Sequence, residues 1–126
     1  EQAQGGPVRL LGRVEGRQKA LALASADILM VPEWIGLVAV DALASGKPVV
    51  TTTHNSHSPE REYLTPGETA LFTDHNVEAY AVGAVELLGD PNQINRMRAA
   101  NSHYATQLST ENMVANFADG IRTWLS

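Results

Sequence analysis

PEWIGLVAVDALASGKPVV, residues Pro32–Val50, reads as the end of a buried strand, a short turn, a helix and the start of a second buried strand. Glu33 and Gly36 fall in the turn and Asp41 on the helix, and Gly46-Lys47-Pro48 closes the helix before Val49 and Val50. This order sets backbone N–H groups and a carboxylate at the carboxyl edge of a parallel sheet. That is the edge where open α/β proteins bind ligands.

The flanking sequence repeats the alternation. Four short apolar runs, Val8–Leu11, Ile28–Val31, Pro48–Thr52 and Ala70–Thr73, read as buried strands. Gln18–Ala26 is rich in alanine and leucine and reads as a helix, and Gly36–Ser45 is apolar on most faces, as a well-buried helix is. Val77, Tyr80, Ala81, Ala84, Val85 and Leu88 follow the spacing of an amphipathic helix, with Asn76 as its N-cap and Gly89 at its stop. Asp90-Pro91 caps the next helix, with proline at its favoured first position. Thr110 starts the last and places Met113, Phe117, Ile121 and Trp124 on one side, and Met113, Phe117 and Trp124 read as core. The expected fold is α/β, a doubly wound parallel sheet of about four strands with right-handed crossovers, ending in three helices.

Composition narrows the function classes. With 126 residues and 44% hydrophobic content, the chain is one folded domain. Its net charge of −5, with no basic cluster beyond Arg96 and Arg98, argues against nucleic acid as a partner. Without cysteine there is neither a disulfide scaffold nor a thiolate metal site. Glu1–Pro7 is polar and glycine-rich, unlike a secretory leader, and Ala20–Val31 is too short to span a bilayer. A soluble, cytoplasmic chain without membrane contact is expected.

Glu33, seven residues and then Asp41, around Gly36-Leu37, with an alanine-rich helix and Gly46-Lys47-Pro48-Val49-Val50, resembles the donor-site segment of retaining glycosyltransferases built from two Rossmann-like domains. The likeness runs from Val8 to Ser126. It implies a nucleoside diphosphate sugar as donor substrate and no tightly bound cofactor or metal. By resemblance the Gly36 and Leu37 amides, opening the helix, face the diphosphate. Glu33 lies toward the transferred sugar as the catalytic acid, and Asp41 takes the ribose. A carboxylate suits a diol because it accepts two hydrogen bonds, and a helix start suits a phosphate. The common pattern has glutamate at the position of Asp41 and a few more residues after the strand-ending proline.

A second segment, Thr51–Leu64 (TTTHNSHSPEREYL), follows another strand end. The family's loop here ends in an acid before a short helix, a part that His57, Ser58, Pro59 and Glu60 fill, with Ser58-Pro59 as the helix start. His54 and His57 read either as phosphate or base contacts or as ordinary loop residues. Two histidines three apart lack a third metal ligand nearby in sequence.

The resemblance further implies that residues 1–126 are one partial domain. A first strand-helix unit and an N-terminal domain with the acceptor site would lie outside them, and the resemblance implies that part of the Met113, Phe117 and Trp124 stripe could cover an interdomain surface instead of the core. The chain alone is then expected to bind donor weakly and transfer no sugar. Two other readings share the architecture: a receiver-type regulatory module, and a sugar-nucleotide epimerase or phosphorylase. The receiver lacks its acidic pair, since Gly12-Arg13 follows the first apolar run.

Overall fold

The computed structural model describes residues 8–54 and 56–126. In chain order these form α1 (Gly16–Ser25), β1 (Leu29–Met30), α2 (Val38–Ala44), β2 (Val49–Thr52), a 3-10 turn (Pro59–Tyr63), β3 (Ala70–Thr73), α3 (Val77–Leu88), α4 (Pro91–Ala105) and α5 (Thr110–Leu125). The strands pair in the order β1-β2-β3, all parallel, with Leu29 opposite Val49 and Val49 opposite Ala70.

The middle strand shows how the sequence builds two layers. All four residues of β2 are buried, and successive side chains of a strand point to opposite faces. Val49 packs with Ile35, Ala39, Leu43 and Leu64, while Val50 packs with Ala84, Leu87, Ile94 and Met97. A β-branched pair in an unbroken apolar run therefore serves a sheet covered on both sides. Because the strands are parallel, the segments after β1, β2 and β3 all leave from one edge.

Local signals hold at the helix ends. Asn76 Oδ1 accepts from the Ala79 amide at 2.8 Å, and Asp90 Oδ1 accepts from Gln93 at 2.9 Å. Ser109 Oγ, one residue before the expected start, accepts from Asn112 at 3.0 Å. Gly46 takes a left-handed φ of 65°, which lets its amide reach Leu43 O at 3.0 Å and closes α2.

Four expectations are corrected. Val8–Leu11 is irregular rather than a strand, with Val8, Leu10 and Leu11 at 63, 75 and 51% exposure. Among the described residues the sheet has three strands, and an apolar run without a paired neighbour has no ladder to join. Gly36 and Leu37 do not begin a helix; they form the turn ahead of α2, which starts at Val38.

The buried face of α3 is Gly83, Ala84 and Leu87, whereas Val77, Val85 and Leu88 are exposed. Gly83 sets that face, since a Cβ there would meet Thr73 Cγ2 at 2.7 Å. Only a glycine lets the helix sit this close to β3. Finally, Met113, Phe117 and Trp124 are not core. They are 65, 72 and 84% exposed, and no residue of α5 is buried.

Candidate functional site

The rim formed by the carboxyl ends of the strands gathers three segments: residues 31–37 after β1, residues 53–54 and 56–58 after β2, and residues 74–76 after β3. The first two are zipped together by backbone bonds. The Trp34 amide donates to Ser56 O and the Ser58 amide to Ile35 O, each at 3.1 Å. His57 completes the zip: its Nδ1 accepts from the Ile35 amide at 3.3 Å, and its Nε2 donates to Thr52 O at 2.9 Å. Both ring nitrogens are thus engaged by backbone, and the side chain acts as a clamp between the two loops.

Gly36 sits against Ser58, whose Oγ is 3.9 Å from where a Gly36 Cβ would lie. Gly36 is not among the glycines with positive φ. Neither backbone conformation nor packing therefore demands glycine at this position. Among the described residues the Gly36 and Leu37 amides have no hydrogen-bond acceptor, and the Ser58 hydroxyl makes no bond. Trp34, just before them, holds a left-handed φ of 55° and is 73% exposed.

Glu33 points toward the third segment. Its Oε1 lies 3.1 Å from His75 Nε2, and with Pro32, Thr52, Asn76 and Tyr80 the pair lines a cleft of 390 Å³. Burial pushes the Tyr80 hydroxyl up to about 12, and that hydroxyl donates to Val50 O at 3.3 Å.

Asp41 is elsewhere. Both of its oxygens receive Lys19 Nζ of α1, at 2.9 and 3.0 Å, in a 540 Å³ cavity between α1 and α2. Glu60 lines a 640 Å³ groove with Leu37, Tyr63, Met113 and Phe117, and its Oε2 is buried without a partner among the described residues.

The residues singled out in the sequence are thus not brought into one pocket, and Asp41 lies away from the rim segments, between α1 and α2. Gly36, His57 and Ser58 meet; Glu33 faces His75; Leu37 and Glu60 share the groove; and Asp41 pairs with Lys19. His75 and Lys19 carried no motif signal, because each acquires its partner only through tertiary packing.

The architecture defines an open α/β protein, a class that binds ligands at the carboxyl ends of its parallel strands. The chain belongs to the glycosyl transferases group 1 family, whose family model matches residues 1–90. A search of curated proteins returned no match. Family membership decides against the receiver-type reading. Among the described residues no helix is long and apolar enough to cross a membrane.

Proposed function

We propose that this chain supplies the donor-binding part of a retaining glycosyltransferase, which moves a hexosyl unit from a nucleoside diphosphate sugar to an acceptor hydroxyl. The diphosphate lies over the Gly36 and Leu37 amides, with the Ser58 hydroxyl beside it. Glu33 meets the transferred sugar as the catalytic carboxylate, and His57 holds the two loops at their spacing. Glu60 flanks the second loop from the groove side. Asp41 takes the ribose, and does so in exchange for part of its contact with Lys19.

Charge stabilisation does the chemistry. As the glycosidic bond breaks, negative charge grows on the departing phosphate, and fixed N–H donors aimed there lower the barrier. The acceptor hydroxyl then attacks from the face the phosphate leaves and passes its proton to the departing phosphate oxygen.

One observation carries the reading. Gly36 has an ordinary backbone conformation, and a Cβ there would meet Ser58 Oγ only at an ordinary contact distance of 3.9 Å. A glycine that the fold itself does not require fits a backbone that a ligand must approach closely. Titration of the chain with uridine and guanosine diphosphates tests this. Gly36→Ala should weaken binding about tenfold, because the added methyl holds the phosphate off the amides and forfeits roughly one charge-assisted hydrogen bond, with an unchanged melting temperature. Equal affinity in the two proteins overturns the proposal, and Asp41→Ala tests the ribose contact in the same way.

A further inference from the structure

The contact between the loops after β1 and β2 depends on which protons one imidazole carries. The Thr52 carbonyl, 2.9 Å from His57 Nε2, can only accept, and the Ile35 amide, 3.3 Å from Nδ1, can only donate. Nε2 therefore holds the hydrogen and Nδ1 a lone pair, so the ring is neutral and in one fixed tautomer. Both partners are backbone groups, and no rotating hydroxyl can reverse the roles. A second proton has only Nδ1 to go to, where the N–H it forms confronts the N–H of Ile35. Ile35 is 0% exposed, so its amide has no water to turn to while the loops stay closed.

We infer that His57 is a pH-operated latch: neutral, it holds the loops after β1 and β2 together, and protonated, it lets them part. The backbone beside it is poised to move. Trp34 sits at a left-handed φ of 55°, with its amide bonded to Ser56 O at 3.1 Å, and parting of the loops lets that residue relax. The surrounding charges do not hold a proton on the ring. Arg61 and Glu62 of the 3-10 turn and His54 line the same 330 Å³ cleft as His57, but Arg61 Nη1 lies 3.4 Å from Glu62 Oε1. Glu33 and His75 face each other in the cleft that Thr52 also lines, Glu60 lines the separate groove, and Asp74 is exposed. Among the described residues no carboxylate bonds either nitrogen of His57. Gly36 and Leu37 directly follow Ile35, so opening displaces their amides relative to Ser58. The latch rests on loop geometry alone and not on the donor reading.

Amide hydrogen exchange of the nucleotide-free chain, followed residue by residue by NMR, tests it. Between about pH 8 and about pH 5, the span over which imidazoles take up a proton, protection of the Ile35 amide should fall about tenfold after correction for its intrinsic rate. The fall should track the ring shifts of His57, while the Leu87 amide in α3 stays protected and so excludes global unfolding. His57→Asn sets an acceptor oxygen in place of Nδ1 and does not titrate, so Ile35 should be equally protected at both pH values. His57→Ala should leave it unprotected at both. His54→Gln and His75→Gln should keep the acid loss, since neither ring bonds Ile35. Equal protection of Ile35 at the two pH values in the unaltered chain overturns the latch. So does an acid loss that persists in His57→Asn, or one that vanishes in His54→Gln or His75→Gln. Because the first comparison uses the unaltered chain, it stands whether or not the variants fold.

Discussion

Asp41 binds Lys19 through both carboxylate oxygens, at 2.9 and 3.0 Å, across the boundary between α2 and α1. α1 has no buried residue, so this pair and the Lys47 ammonium, which donates to Ala24 O at 3.1 Å and Ala26 O at 2.8 Å, hold it in place. The two side chains of the pair are 45 and 34% exposed, and water screens such a contact. Lys19→Ala should therefore lower global stability by less than about 1 kcal/mol. Hydrogen exchange of the α1 amides should nevertheless quicken. Unchanged exchange would mean that α1 is held by other contacts.

Gly83→Ala should destabilise the chain by about 1–3 kcal/mol, the usual cost of forcing an extra carbon into a packed contact. The added Cβ meets Thr73 Cγ2 at 2.7 Å and Leu71 Cδ2 at 3.3 Å. Thr73→Ser removes the first of these carbons, so the double variant should recover part of the loss. Urea denaturation of the four proteins measures the coupling.

Asn101 lies in α4 with 0% exposure, and among the described residues neither its Oδ1 nor its Nδ2 has a partner. A buried amide without hydrogen bonds costs about 1–3 kcal/mol in lost hydration. Asn101→Leu, which keeps the heavy-atom branching with bulkier methyl groups, should raise the denaturation midpoint. A lowered midpoint would show that the amide is satisfied by buried water.

Trp34 occupies the left-handed region that costs a side chain about 1–2 kcal/mol. Trp34→Gly should therefore be more stable than Trp34→Val by at least about 1 kcal/mol, since a β-branched residue fits that region worst. Equal midpoints would mean that the turn relaxes to another conformation.

Tyr80 gives a pH signature. Its hydroxyl titrates near 12 when folded and near 10 when free. Between those values the unfolded chain loses this proton and the folded chain keeps it, so the contribution to stability is full below pH 10 and falls as pH rises through 12. Tyr80→Phe should flatten the decline in thermal midpoint over that range. An unchanged slope would assign the decline to other groups.

Much of this molecule follows from neighbours in sequence. The caps at Asn76 and Asp90, the stop at Gly46 and the strand Ala70–Thr73 depend on hydrogen bonds and φ preferences that span a few residues, so a local pattern suffices to read them. The motif around Gly36 likewise announces both the rim and the family. The packed face of α3 is different, because a missing Cβ at Gly83, invisible to an apolar count, turned the helix toward Thr73. Apolar spacing equally failed to bury α5, whose stripe finds no covering surface among the described residues. The partners of Asp41, Glu33 and His57 come from elements far apart along the chain. Such pairings arise only when crossovers bring separate loops to one sheet edge, and side-chain identity alone carries no record of that distance.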